Sequence, residues 1–188
     1  LYSSRQYENR EALNEGGSTE WVGEPFDSDA SIFWSPLWSF TEERIRYLPT
    51  SYLYFRVEAD GSRRFLRGDS NGTAAGASIE DAILQGFFEL VERECVALGW
   101  YHGGWRPPVE LEGFPDTFVR ECLESYDRLG RDVWVLDLTG PFEIPTFAAV
   151  SRDRAGDSES LIHGLGAHCD PQTALNRALT EMNQMLVM

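Results

Sequence analysis

Two predicted helices each carry a row of polar side chains that could bind a metal ion or an anion. Both rows have the spacing i, i+4, i+7, which places their members on one helix face. They comprise Gln85, Glu89 and Glu92 in the first helix and Arg177, Glu181 and Gln184 in the second. Carboxylates one turn apart offer hard oxygen ligands to Mg²⁺, and a guanidinium can bind phosphate directly. If only one helix carried such a row, the alternative would be an acidic stripe exposed to solvent. Two helices with the same arrangement of polar residues favour a shared site instead.

A glycine-rich segment precedes each of these helices, over residues 68–77 and 164–169. Small residues let a backbone approach a ligand closely, so both segments are candidate phosphate or ribose loops. The first segment lacks the Gly-Lys-Ser/Thr of a Walker loop and the dinucleotide fingerprint. A tight turn into the helix is its alternative interpretation. Together the two loop and helix units predict a site for a nucleoside triphosphate with bridging magnesium ions.

The starts and apolar faces of the two helices follow from local patterns. Ser78, with Asp81 three residues later, predicts a capped start for the first helix, and Asp170-Pro171 predicts the start of the second. Each helix has an apolar face opposite its polar row, as expected for packing against a core. These faces comprise Ile83, Phe87, Leu90, Ala97 and Leu98, and Ala174, Leu175, Ala178, Leu179, Met182 and Leu186.

The remaining pattern predicts a mixture of helices and strands, which places the chain in the α/β class with a sheet layer. We expect a largely loop segment over 1–31, strands over 52–57, 133–138 and 144–150, a helix over 116–129 and an exposed turn over 151–160. An aromatic cluster over 32–38, with Tyr47, Tyr52, Tyr54 and Phe55, is interpreted as core. A surface on which a peptide stacks is the alternative.

Composition limits the class of protein. The 188 residues fit one domain, and because the chain begins at Leu1 and stops inside a predicted helix we expect a fragment. A net charge of -15 argues against nucleic-acid and membrane-surface partners. Three scattered cysteines predict neither a disulfide framework nor a metal knuckle. With no apolar run long enough to span a membrane and no signal segment, a cytoplasmic protein is expected.

The ordered combination of four segments strongly resembles the YcaO family. These segments are residues 70–76, 85–93, 164–170 and 177–184. Within the family the chain is similar to the azoline-forming cyclodehydratases, the D-protein type of thiazole/oxazole-modified microcin clusters. The similarity runs from about Ile32 to Met188, and Trp100-Tyr101, residues 106–108 and residues 133–145 agree with that branch.

This resemblance implies a YcaO-type ATP-binding fold, with residues 1–188 forming part of a single domain. It implies ATP and Mg²⁺ as cofactors. The implied magnesium ligands are Glu89, Glu92 and Glu181, and the expected ATP-contacting residues are Ser70, Asn71, Arg177 and Gln184. No protein nucleophile is required, so no cysteine or histidine is assigned a catalytic role, although His168 beside the second loop is worth testing.

The implied activity is ATP-dependent peptide cyclodehydration. A Cys, Ser or Thr side chain of a ribosomally made precursor peptide attacks the preceding amide carbonyl, and ATP phosphorylates the resulting oxygen so that it can leave. The implied partners are the precursor peptide, an E1-like leader-binding protein or fused domain, and a second copy of the chain in a homodimer.

The chain also departs from the family pattern. An upstream helix with ATP-contacting residues and a C-terminal tail are absent, so we expect the isolated fragment to show little catalysis. Two alternatives remain open: peptide thioamidation with a partner protein, and a non-catalytic scaffold that keeps the fold. The retained glutamates and Gln184 argue against the scaffold.

Overall fold

A computed structural model describes residues 2–15, 21–54, 61, 64–155 and 160–186. Contacts divide the chain into two compact units, residues 1–70 and residues 71–188. The prediction of a single domain over 1–188 stays a prediction, and each unit is described by itself.

The described residues of the first unit form three short helices and one hairpin. Its elements are α1 (Ser4–Glu8), α2 (Arg10–Glu15), β1 (Trp34–Ser39), β2 (Arg44–Pro49) and α3 (Thr50–Leu53). Ser3 caps α1 in a capping box with Gln6. The expected loop over 1–31 therefore missed two helices, while residues 21–31 contain neither helix nor strand. The strand predicted over 52–57 is wrong at its start, because Tyr52 and Leu53 lie in α3; residues 55–57 lie outside the described residues.

The aromatic cluster is exposed, so its interpretation as core is wrong. Trp34, Pro36 and Trp38 alternate along β1 and share one face of the hairpin. Their antiparallel partners on β2 are Pro49, Tyr47 and Ile45. Tyr52 and Tyr54 are also exposed, and Phe55 lies outside the described residues. Among the residues of this unit that the structure describes, the buried large apolar side chains are Val22 and Phe65. The residue types correctly indicated that the cluster is apolar. In this two-stranded sheet, however, the alternation of side chains places these residues on a face that is exposed to solvent.

The second unit packs helices on a three-stranded antiparallel sheet with the order β3-β4-β5. Its elements are α4 (Ile79–His102), a 3-10 turn (Leu111–Gly113), α5 (Thr117–Arg128), β3 (Arg131–Asp137), β4 (Thr146–Asp153), β5 (Ile162–Ala167) and α6 (Pro171–Leu186). The α/β class, the helix over 116–129 and the strands over 133–138 and 144–150 are confirmed. Gly130, with φ +71°, ends α5 and donates to the Asp127 carbonyl.

The turn predicted over 151–160 is too long. Residues 151–153 belong to β4, and Ser151 is fully buried, with its hydroxyl satisfied by a 2.9 Å hydrogen bond from Nε of Arg131. Residues 156–159 lie outside the described residues.

The second glycine-rich segment is a strand for most of its length, so its prediction as a ligand loop is wrong for residues 164–167. A Cβ on Gly164 would lie 2.1 Å from the backbone nitrogen of Met182, and one on Gly166 would lie 2.3 Å from the Ala174 carbonyl oxygen. These glycines let β5 and α6 approach each other; they are packing residues.

The core of the second unit lies under α6. The predicted apolar face of α6 is confirmed: Ala174, Leu175, Ala178, Leu179 and Met182 are fully buried and Leu186 packs beside them.

The predicted apolar face of α4 is wrong, because Ile83, Phe87 and Leu90 are exposed. The helix buries Gly86, Phe88, Val91, Glu92 and Cys95 instead. The buried face is thus rotated from the predicted one by about one residue, or roughly 100°. It includes the carboxylate of Glu92, which the sequence pattern assigned to the polar side. Within the described residues, no helix is both long and apolar enough to cross a membrane.

Candidate functional site

A polar cleft of about 480 Å³ lies among α4, β5 and α6. Most of its lining comes from one face of α6, and α4 and β5 contribute one residue each. The lining residues are Glu92, Leu165, Thr173, Asn176, Arg177, Thr180, Glu181 and Gln184. Two helices and an edge strand therefore bring carboxylate, guanidinium, amide and hydroxyl groups to one concave surface, which suits a charged ligand.

Glu181 is fixed to the sheet edge. One of its carboxylate oxygens, Oε2, accepts a 2.9 Å hydrogen bond from the backbone N–H of Leu165 in β5. Because strand β5 pairs with β4 on its other side, this N–H has no ladder partner and donates to the side chain instead. The second carboxylate oxygen remains available to the cleft.

Arg177 joins α6 to α4. Its Nη1 donates to the Ala167 carbonyl oxygen at 3.2 Å, and its Nη2 donates to Oε1 of Gln85. Gln85 in turn donates to Oδ1 of Asp81 at 3.0 Å. This chain of hydrogen bonds orients the guanidinium of Arg177 and links the two polar rows predicted from the sequence.

Glu92 is a buried carboxylate in a region rich in negative charge. Only 8% of the surface of Glu92 is exposed to solvent. Nη2 of Arg93 lies 3.7 Å from Oε1 of Glu89 and 3.7 Å from Oε1 of Glu92, and among the described residues it is the cation nearest to them. Burial, followed by the charges of Glu181 and Glu89, raises the pKa of Glu92 to about 7. Arg93 and Arg177 oppose that rise only in part. The cleft therefore has uncompensated negative charge that a cation would relieve.

Replacing Glu92 by glutamine is expected to stabilise the metal-free protein at alkaline pH. The pKa of this carboxyl is about 7 in the folded state against 4.5 in a free chain, so the folded state binds the extra proton between those values. Stability is thus lost as pH rises through that window, and the glutamine variant escapes the loss. Urea unfolding in EDTA should show the variant more stable by about 2–3 kcal/mol near pH 8, and equal to the native protein near pH 4.5.

Glu94→Gln on the exposed face of α4 is the matched control and should leave stability unchanged at both pH values. A Glu92→Gln variant that is less stable than the native protein at about pH 8 would show that Glu92 is held by favourable contacts.

The structure brings four of the seven predicted site residues together. Glu92, Arg177, Glu181 and Gln184 line the cleft, and Glu89 is connected to it through Arg93. The other two predicted residues lie in the first glycine segment, Ser70 at the end of the first unit and Asn71 at the start of the second. Their assignment as ATP contacts stays a prediction.

Within the second unit, the part of the first glycine segment at Gly72 is a turn that packs on α4. Gly72 has φ +76°, and a Cβ on Gly86 of α4 would lie 2.7 Å from the Gly72 carbonyl oxygen. This contact accounts for a glycine in each partner without a ligand. It supports the tight-turn alternative for these two positions.

Besides Leu165, three polar residues of the cleft were not among the predicted site residues: Thr173, Asn176 and Thr180. They precede or follow Arg177 by four, one and three positions, and the helical spacing of Thr173 and Thr180 could have identified those two. Asn176 is held by a 3.0 Å hydrogen bond to Oδ2 of Asp116. Its partner lies 60 positions away, and no local pattern indicates it.

The contacts of His168 favour a structural role for this side chain. Its Nδ1 accepts a 3.0 Å hydrogen bond from the Asp170 N–H, and its ring centroid lies 4.9 Å from that of Phe88. In the part of the chain that the structure describes, no group of three or more His, Cys, Asp or Glu side chains could hold a metal ion by itself. A metal in this cleft would need ligands beyond the protein carboxylates.

Solved structures with the same fold include two heterocyclases and a YcaO protein. A heterocyclase solved in complex with substrate and cofactor is 48% identical with a TM-score of 0.90, over 98% of this chain and 25% of that chain. The heterocyclase TruD is 47% identical with a TM-score of 0.87, over 99% of this chain and 27% of its own. YcaO from Methanopyrus kandleri, bound with AMPPCP and Mg²⁺, is 24% identical with a TM-score of 0.65, over 89% of this chain and 44% of that chain, and shares the fold.

The chain spans about a quarter of the two heterocyclases and about a third of the curated relatives that it matches. The YcaO cyclodehydratase family, described as ATP- and Mg²⁺-binding, matches residues 2–188. Because that match takes in both polar helices and the cleft between them, the chain belongs to the YcaO cyclodehydratase family and ATP and Mg²⁺ are the cofactors of its family.

Proposed function

We propose that this chain is the nucleotide-binding part of an ATP-dependent peptide cyclodehydratase that phosphorylates a backbone amide oxygen during azoline formation. One observation carries the proposal: Glu92, Glu181, Arg177 and Gln184 converge on a single cleft from two helices. The sequence identity of nearly half to two heterocyclases supports a ring-forming reaction.

The cleft fits a magnesium-bound phosphate chain. Mg²⁺ prefers oxygen ligands in an octahedron, and in phosphoryl-transfer sites it usually takes one or two carboxylates and completes its shell with phosphate oxygens and water. That preference agrees with a cleft whose carboxylates cannot enclose an ion alone. Glu92 and Glu181 would hold the ion, and Glu89 would contribute through the same acidic surface.

Nucleotide contacts are proposed for the residues that flank the carboxylates. The guanidinium of Arg177 is oriented by Ala167 and Gln85, and a preoriented guanidinium binds phosphate oxygens with two donors. Gln184 lies about two turns beyond Arg177 along α6 and can bind a phosphate or ribose oxygen through its amide. Ser70 and Asn71 are proposed to contact the nucleotide as the sequence resemblance predicts.

The chemistry requires a better leaving group than an amide oxygen. When the side chain of a Cys, Ser or Thr in the substrate attacks the preceding carbonyl carbon, its S–H or O–H proton is lost and the carbonyl oxygen becomes anionic. Transfer of the terminal phosphoryl group to that oxygen gives ADP, and the C–O bond then breaks to release phosphate as the amide proton departs. A magnesium ion held by Glu92 and Glu181 would supply positive charge against the phosphates during this transfer. The protein supplies orientation and charge, so no side chain need act as the nucleophile.

The full-length protein with ATP, Mg²⁺ and its precursor peptide tests the proposal. A peptide carrying heavy oxygen in the backbone amide should lose the mass of one heavy-oxygen water per ring and deliver the heavy oxygen to inorganic phosphate. Exchange of oxygen for sulfur in the product would support thioamidation instead. ATP binding without any peptide product, with every partner protein present, would support a scaffold.

The partners of the whole protein remain proposals. We propose a precursor peptide, an E1-like leader-binding domain or protein, and a homodimer. The heterocyclase chains extend well beyond the part matched here, which leaves room for a fused leader-binding domain in proteins of that length.

A further inference from the structure

The hairpin of the first unit presents an unusual apolar surface. Trp34, Pro36 and Trp38 of β1 lie opposite Pro49, Tyr47 and Ile45 of β2, so six apolar side chains share one face. We name this set the aromatic hairpin face. Trp34, Trp38, Tyr47 and Ile45 are between 50% and 60% exposed. Because these side chains are contiguous on one sheet face, they form a candidate binding surface.

The area of the face distinguishes between possible occupants. Half of the 150–250 Å² that an aromatic side chain can bury gives roughly 300 Å² for the three aromatics, and the remaining residues bring the total to roughly 500 Å². A stable interface between two protein copies needs about 800 Å² on each partner. The face alone is too small for that, whereas it matches the footprint of a short peptide.

The face continues into a cavity of about 620 Å³ in the same unit. Trp34 and Pro49 belong to both. The other lining residues are Tyr2, Gln6, Phe26, Leu48, Tyr52, Leu66, Arg67 and Asp69. A flat apolar strip that ends in a cavity suits an elongated ligand with one larger group at its end. The six residues of each strand span about 20 Å, the length of about six residues of extended peptide.

The basic residues of the hairpin lie away from the aromatic hairpin face. Glu42 in the hairpin turn is paired with both Arg44 and Arg46, the basic residues of β2. These two guanidiniums alternate with Ile45 and Tyr47 along β2 and so lie on the opposite face of the hairpin. Pro36 also removes one backbone donor from β1, which disfavours edge-to-edge pairing with another strand. A ligand would therefore contact the side chains of the aromatic hairpin face instead of pairing with the strand backbone.

We propose that the aromatic hairpin face and its adjoining cavity bind an extended segment of the peptide substrate, with apolar side chains at alternate positions of that segment packed on Trp34 and Trp38. The identification of the ligand as substrate rests on the proposed function. The site is separate from the nucleotide cleft in residue composition, since every lining residue belongs to the first unit.

A fluorescein-labelled synthetic peptide that alternates valine and serine over seven residues serves as the probe with the full-length protein. Fluorescence anisotropy should detect binding by the native protein, and the double variant Trp34→Ala/Trp38→Ala should weaken it by about tenfold or more. Trp38→Tyr should retain most of the affinity. Trp105→Ala, which removes an exposed tryptophan of the second unit, is the matched control and should leave binding unchanged.

Equal affinity in the native protein and the double variant, or no binding by the native protein, would overturn the proposal. A change in oligomeric state or a loss of folding in the double variant would also overturn it, because the face would then be covered by a second copy or by the rest of the protein. Calorimetric ATP binding in the same samples separates the two proposals. Peptide binding that depends on Trp34 and Trp38 without any ATP binding would reject the enzymatic function and keep the peptide site.

Discussion

Glu181→Gln is expected to weaken magnesium-dependent ATP binding by about 100-fold or more in the full-length protein, because it removes a proposed metal ligand. The substitution is conservative for the fold. A glutamine carbonyl oxygen can still accept the hydrogen bond that Leu165 donates to the carboxylate. Isothermal titration with ATP in the presence of Mg²⁺ measures the effect, and titration in EDTA shows how much of the native affinity depends on the metal.

Glu94→Gln is the control for this measurement, since it removes the same charge from an exposed position of α4. It should bind ATP as the native protein does. Magnesium-dependent binding that survives in Glu181→Gln would reject Glu181 as a ligand. Failure of the native protein to bind ATP at all would reject the nucleotide function of the cleft.

Gly164→Ala should destabilise the protein by about 3 kcal/mol or more, enough to reduce its soluble yield. The added Cβ would lie 2.1 Å from the Met182 nitrogen and 2.3 Å from the Ala178 carbonyl oxygen, both of which are backbone atoms of α6. Backbone in a packed helix cannot move aside cheaply. Urea unfolding, with the soluble fraction after expression as a second measure, tests this expectation.

Gly104→Ala provides the comparison, because a Cβ at that position meets nothing within 4 Å. It should change stability by less than about 0.5 kcal/mol. If Gly164→Ala proved as stable as Gly104→Ala, the close approach of β5 and α6 would not be required by the fold.

Helix α6 shows what a sequence pattern can predict. Its start at Asp170-Pro171, its buried face and the cleft positions of Arg177, Glu181 and Gln184 all followed from local rules. Those rules sufficed because α6 packs one face on a sheet and leaves the opposite face to the cleft, which is the arrangement that helical periodicity assumes.

Helix α4 shows where such rules fail. Its exposed side carries Ile83, Phe87 and Leu90, while a carboxylate, Glu92, is buried against the cleft. Periodicity reports which residues share a face, and the choice of buried face depends on partners in distant parts of the chain. The prediction of a ligand loop at the glycines of β5 was wrong for a related reason. A glycine needed for close packing and a glycine needed for close approach of a ligand give the same sequence signal.

The hydrogen bond between Leu165 and Glu181 has a practical consequence for spectroscopy. A strand amide that donates to a carboxylate senses that carboxylate's charge, so its proton resonance depends on what else the carboxylate binds. The Leu165 amide proton is therefore a built-in probe of the site. In a nitrogen-15 correlation spectrum its peak should move on titration with Mg²⁺ and ATP, and should report ion occupancy without any introduced label on the site itself.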